Sequence, residues 1–182
     1  MRNWLADLDA ALPNAVLAGA PADVRVHRGF LHTWVFLRDD VVRAVAALRE
    51  RHPHYAVLVT GHSLGGAVAV LCAVHLAGAG LLATVVTLNQ PRVGNTAFAQ
   101  WTDTLGITLL RVVNQHDLVP HLPALWQGFR HAGTEIWIWD ALGHTVACNA
   151  EAVSCSNSRT THSIATHSTV WNMQLGVRAC SR

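Results

Sequence analysis

Apolar residues recur at helical spacing between Phe30 and Arg51, where Trp34, Leu37, Val41, Val42, Val45 and Leu48 make one stripe and arginines and aspartates take the other side. The pattern predicts a core-facing helix. From Tyr55 to Thr60 it changes to a short, partly β-branched apolar run, which predicts a strand. A nearly uncharged tract follows from Leu64 to Thr87, with Cys72 and His75 its only ionisable side chains. A hydropathy window alone would flag it as a membrane span. Gly78 and Gly80 divide it instead into a helix over 64–77 and a strand over 82–88, both buried against a sheet, so no transmembrane segment is expected. A helix over 95–105 and strand-like runs over 107–113 and 135–139 continue the alternation. Strands alternating with helices favour one α/β domain over residues 1–182, a largely parallel sheet with helices on both faces.

The junction of the first strand and the uncharged helix carries the chemistry. Gly61-His62-Ser63-Leu64-Gly65 fits Gly-x-Ser-x-Gly, the nucleophile elbow, in which a strand reverses into a helix and holds a serine in a strained turn with its hydroxyl outward. Gly61 and Gly65 are read as the residues whose missing side chains let strand and helix approach. The bland alternative is a Gly-Ser turn with Ser63 bonded only to backbone.

A serine needs a base to activate it, and the base needs an acid to orient it. In elbow folds the order along the chain is Ser, then Asp or Glu, then His. The acids after Ser63 are Asp103, Asp117, Glu135, Asp140 and Glu151. Asp103 falls inside a helix, whereas Asp117 follows a strand and precedes Val119-Pro120, the carboxyl-end loop where open α/β sheets put their chemistry. Asp117 is therefore the candidate acid, against the alternative that it only caps the turn 114–117. Five histidines follow it, His121, His131, His144, His162 and His167, and spacing does not choose among them. His52 and His54 form a loop pair with no further ligand in view, so neither metal nor other cofactor is expected.

Composition narrows the class. With 182 residues, 51% apolar and 13% charged, the chain can bury a core without metals or dense disulfides. The formal charge is +2 and all thirteen basic residues are scattered arginines, which makes no nucleic-acid groove and no strongly basic membrane patch. The seven tryptophans are read mostly as packing. Four cysteines, Cys72, Cys148, Cys155 and Cys180, allow three pairings.

Several blocks occur in an order that resembles the fungal class 3 lipases, a family of filamentous-fungal triacylglycerol lipases and feruloyl esterases with the α/β-hydrolase fold. They are Arg2-Asn3-Trp4, Val26 to Phe30, the elbow at 61–66, Asn89 to Asn95 (Asn-Gln-Pro-Arg-Val-Gly-Asn), Asn114 to Pro123, and His131 to Trp137. The Pro-Arg-Val-Gly-Asn block is far more specific than the elbow. In that family the acid precedes a Val-Pro pair, as Asp117 does here, and the base lies in a Ser-Ile-Ala-Asp-His-like segment resembling Ser163 to His167. The resemblance thus implies a Ser63–Asp117–His167 triad, with His162 the second choice for the base. Thr166 and Val170 depart from the Asp and Tyr frequent in the family.

What the resemblance implies goes further. It predicts acyl transfer on acylglycerol esters at a lipid–water interface, with the Leu64 N–H as one oxyanion donor and a second donor upstream of the block at residues 2–4. A domain lacking its N-terminal strands is therefore expected, with an open edge beside Tyr55 to Thr60. Residues 1–12 become a lid remnant whose apolar face is Trp4, Leu5 and Leu8; a core-facing first helix is the alternative. Cys148 and Cys155 match a pair the family often bridges, Cys72 is read as a buried thiol, and Cys180 has no evident partner. Secretion is implied, although no signal peptide stands at Met1. Two other readings stay open: a feruloyl-type esterase on plant cell wall esters, and a non-catalytic remnant.

Overall fold

The computed structural model describes residues 12, 17–171 and 173–175. In chain order its main elements are α1 (Arg28–Arg51), β1 (Val57–His62), α2 (Leu64–Gly78), β2 (Ala83–Leu88), β3 (Gly94–Asn95), α3 (Thr96–Thr104), β4 (Thr108–Asn114), β5 (Phe129–Arg130), β6 (Thr134–Ile138), β7 (Thr145–Asn149), β8 (Thr169–Val170) and β9 (Met173–Gln174). Five strands form the central sheet in the order β1-β2-β4-β6-β7. The first four run parallel, as strand–helix alternation predicts, and β7 joins antiparallel to β6. That last hairpin has no clear signal in the apolar pattern, because Thr145 to Ala147 are exposed on the sheet margin.

Register places Val59, Val85 and Leu109 side by side on one face. There α1, α2 and α3 share a core built on Phe30, Trp34, Leu71, Leu76 and Phe98. On the opposite face Leu88, Val112 and Ile136 are in register, and among the described residues Val170 and Leu175 meet them. Small residues explain how α2 lies so close to the sheet: Gly66, Ala67, Ala69 and Ala73 are all buried. α2 spans 15 residues, and among the described residues no helix is long and apolar enough to cross a membrane.

The stripe of α1 is less covered than its periodicity predicts. Phe30 and Trp34 are buried, Val41, Val42 and Val45 half-buried, but Leu37 and Leu48 are 41% and 50% exposed. The reason is that α1 packs chiefly on α2, so its first turns are fully covered while Val41 and Val45 further along only partly reach the core. A groove of about 470 Å³ remains between them, lined by Trp34, Leu37, Val41, Leu64, Val68 and Cys72. β1 is an edge strand among the described residues, with Leu58 63% exposed. Packing also claims fewer tryptophans than expected: Trp34 and Trp137 are buried, whereas Trp126 is 86% exposed. Cys148 is bridged to Cys155, which ties the end of β7 to the following loop. Cys72 is a buried thiol that burial pushes up to about 11. Trp4, Leu5, Leu8 and Cys180 lie outside the described residues.

Candidate active site

β1 ends at His62 and α2 begins at Leu64, so a single residue makes the reversal. Ser63 does so at φ 57° and ψ −127°, a left-handed conformation that costs a non-glycine residue about 1–3 kcal/mol. Backbone bonds hold it there. The Ser63 N–H donates to the Leu88 carbonyl at 2.9 Å, and the Ser63 carbonyl accepts from the Gly66 N–H at 2.9 Å. A Cβ on Gly61 would run into the Gly65 carbonyl and stand 2.7 Å from the Gly66 nitrogen. Gly65, read from the sequence as the partner in this close approach, has nothing within 4 Å of where its Cβ would be. Gly66 has the tight position instead: its Cβ would lie 2.8 Å from Gln90 Cβ and 3.0 Å from the Gly61 oxygen. Helix geometry explains the correction, since successive positions point about 100° apart and only Gly66 faces the sheet.

Asp117 and His167 come from two loops that pair with each other. Asp117 follows β4, its N–H donates to the Asn114 carbonyl at 3.0 Å, and its Oδ1 accepts from the Val119 N–H at 3.0 Å. Next to it, Leu118 donates to the Ser163 carbonyl and Ser163 donates to the His116 carbonyl. This stitch carries the turn 164–166 up to His167. The His167 Nδ1–H then donates to Asp117 Oδ2 at 2.7 Å, and Nε2 lies 2.8 Å from Ser63 Oγ. All three residues are buried, Asp117 completely. A buried carboxylate that accepts bonds from an imidazole and a backbone N–H can hold the ring in one tautomer and orientation. Leu64 is the first residue of α2, where a backbone N–H has no partner within the helix and the dipole favours negative charge.

Three strand ends hold the His167 turn from below. His62 on β1 and Asn89 after β2 both donate to the His167 carbonyl, at 2.8 and 3.0 Å. Asn114, closing β4, donates to the Thr166 carbonyl at 3.1 Å, while its own N–H donates to Asn89 Oδ1 at 2.8 Å. Nothing in the local pattern singles out these partners. Asn89 and Asn114 sit in the recognised blocks, and Asn89 has φ 50°, a turn geometry that asparagine tolerates. Burial pushes the His62 imidazole below its ordinary range.

Other candidates are engaged elsewhere. His162 packs against His121 with ring centroids 3.9 Å apart and planes tilted by 49°, and burial brings His121 down to about 4. The His131 Nε2–H donates to the Pro120 carbonyl, and burial together with Arg111 and Arg92 holds that ring well below its usual range. His144 bonds Asp140 on the surface. Asp103 accepts from the Gly133 N–H, and Glu135 accepts from the Ser156 N–H. Glu151 takes both arms of Arg92, at 2.7 and 2.9 Å, and the same guanidinium donates to the carbonyls of His121 and Pro123. Arg92 thus braces the turn just beyond Asp117. Among the described residues no group of three His, Cys, Asp or Glu side chains converges to hold a metal.

Comparison with known proteins agrees with the fold and with the family that the sequence resembles. The family described as Lipase (class 3) matches residues 1–126. A lipase of Rhizomucor miehei is 42% identical over 166 residues, covering 87% of this chain and 45% of that protein. Secreted mono- and diacylglycerol lipase 1 of Fusarium solani is 36% identical over 138 residues, covering 76% of this chain and 40% of its own. The chain spans less than half the length of these two relatives. A solved triacylglycerol lipase, whose catalytic centre is formed by a serine protease triad, superposes with a TM-score of 0.88 at 39% identity, covering 97% of this chain and 69% of that one. An elbow between parallel strand and helix, on the α/β-hydrolase sheet these structures share, and a family match over more than half the sequence lead to one assignment: the chain belongs to the class 3 lipase family.

Proposed function

We propose that this chain is a serine carboxylic ester hydrolase acting on acylglycerols, with Ser63 as nucleophile, His167 as general base and Asp117 as the acid that orients it. The observation that carries the reading is the unbroken path from Ser63 Oγ through His167 to Asp117 Oδ2, with steps of 2.8 and 2.7 Å in a buried setting. Ser63 Oγ attacks the ester carbonyl while its proton passes to His167 Nε2, and the imidazolium is stabilised by the Asp117 carboxylate. Collapse of the tetrahedral intermediate returns that proton to the departing alcohol and leaves an acyl-serine. Water, deprotonated by His167 in its turn, releases the acid. The Leu64 N–H, free of an intrahelical partner at the start of α2, is the donor offered to the negative carbonyl oxygen in this reading, and one such donor typically lowers the barrier by about 3 to 4 kcal/mol.

Acylglycerol as the substrate class rests on the names of the relatives, which include a mono- and diacylglycerol lipase. Action at a lipid–water interface, with Trp4, Leu5 and Leu8 as the apolar face of a lid over 1–12, belongs to the same proposal. So does secretion, for which the Cys148–Cys155 bridge suits an oxidising compartment. The test is a fluorophosphonate probe on the purified chain. Labelling is expected in the parent and in His162→Ala, and is expected to vanish in Ser63→Ala and fall by orders of magnitude in His167→Ala. A well-folded parent that takes no label overturns the reading. Turnover of p-nitrophenyl esters of increasing chain length, set against methyl ferulate, then separates an acylglycerol lipase from a feruloyl-type esterase.

A further inference from the structure

We propose that His62 is a positioning residue for the general base, fixing the backbone of His167 through a neutral N–H donor; the inference rests on the reading of Ser63, Asp117 and His167 given above. His167 follows one short 3-10 turn, so no long helix or strand rigidifies it. Its carbonyl is instead gripped from two strand ends, by His62 at 2.8 Å and by Asn89 Nδ2 at 3.0 Å. A carbonyl oxygen can only accept, so the His62 proton must sit on Nε2. The elbow therefore does two tasks with adjacent residues: Ser63 offers the hydroxyl, and His62 anchors the residue whose ring receives its proton.

Chemistry explains why a neutral ring suits this position. The two imidazoles lie against each other with centroids 4.6 Å apart and planes tilted by 33°. His167 becomes cationic as Ser63 attacks. A lysine or arginine at position 62 could donate to the same carbonyl, but it would set a second positive charge against that imidazolium. An uncharged donor holds the backbone without opposing the charge. Asn89, the other uncharged donor, is itself tied to β4 through the Asn114 N–H, so the grip on His167 is braced across three neighbouring strand ends.

Two variants of the whole chain test this. His62→Leu keeps an apolar side chain and removes the donor; His62→Gln keeps a neutral N–H at similar reach. The first readout is the second-order rate of fluorophosphonate labelling, with folding checked by circular dichroism. The Leu variant is expected to label about tenfold more slowly, the worth of one hydrogen bond in the transition state, and the Gln variant to recover to within about twofold of the parent. The second is the low-field proton resonance of His167 Nδ1–H bonded to Asp117, which needs no turnover. It is expected to be sharp in the parent and in the Gln variant, and broadened or shifted in the Leu variant. A folded Leu variant that keeps both the parent rate and the parent resonance overturns the proposal. If the parent takes no label, the hydrolase reading fails, and the resonance alone decides whether His62 positions His167.

Discussion

Adjacent glycines in the elbow should respond to alanine with opposite signs. At Gly66 a methyl would lie 2.8 Å from Gln90 Cβ, 3.0 Å from the Gly61 carbonyl oxygen and 3.3 Å from Thr87 Cβ. Ordinary carbon contacts are about 3.5–4.0 Å, so the elbow and β2 must separate by several tenths of an ångström. Overpacking of this kind costs about 1 to 3 kcal/mol, offset by about 0.5 to 1 kcal/mol from replacing a helical glycine. A net loss of about 1 to 2 kcal/mol results. At Gly65 nothing stands within 4 Å, so only the helix term remains and alanine should stabilise by about 0.5 to 1 kcal/mol. The two variants should therefore differ by about 2 kcal/mol, roughly thirtyfold in the folding equilibrium. Urea unfolding followed by tryptophan fluorescence measures both. Labelling of Ser63 should also slow in Gly66→Ala, because the helix cannot move off the sheet without turning the serine. If Gly65→Ala is the more damaging of the two, or if they match, the packing assigned to the elbow is wrong.

Other consequences concern titration and buried charge. His27 caps α1 by accepting the Gly29 N–H on Nδ1, and burial brings it down to about 4. The unfolded chain takes up a proton below about pH 6.5 while the folded one does not, so stability is full above that pH and falls as pH drops towards 4, by up to about 3 kcal/mol. Urea midpoints measured against pH should show this contribution, and His27→Asn, a capping residue that does not titrate, should make the slope shallower while the buried His121 and His131 keep their own share of it. For Glu151, burial pushes the carboxyl up, but the Arg92 guanidinium and the His131 N–H outweigh it and hold the group well below the usual carboxylate range. Glu151→Gln, which leaves the Arg92 charge buried with only carbonyl partners, should cost roughly 3 to 5 kcal/mol in a denaturant titration at pH 7. An unchanged midpoint would show that the pair contributes nothing.

The site draws its rigidity from hydrogen bonds between loops more than from apolar packing. Asn89 and Asn114 are buried and donate to backbone carbonyls of the distant 166–167 turn, while the buried Asp117 and His167 bond each other through their side chains. Each bond contributes about 1 kcal/mol, yet losing one partner strands a buried polar group at a larger cost. Specific side chains at strand ends therefore define the geometry of the base, while the aliphatic core beneath α2 fixes only the serine.

The sequence by itself determined what is local. Helical spacing in α1, the glycine break after α2, and a serine between an apolar run and a small-residue helix are visible because periodicity and turn chemistry depend on near neighbours. Element bounds moved by a residue or two, as for β1, expected over 55–60 and found at Val57–His62. Chain order left five acids and the strand-end loop favoured Asp117 among them, but no spacing rule separated His167 from four other histidines; only resemblance to a family favoured it. Tertiary structure decided what depends on convergence. Ser63 and His167 are 104 residues apart and meet because parallel pairing sets β1, β2 and β4 with their carboxyl ends together. The packing of α2 on that sheet put Gly66 rather than Gly65 against it, and the loop after β7 brought Glu151 to Arg92. Side chains far apart in a sequence carry no mark of one another until sheet register fixes which strand ends share an edge.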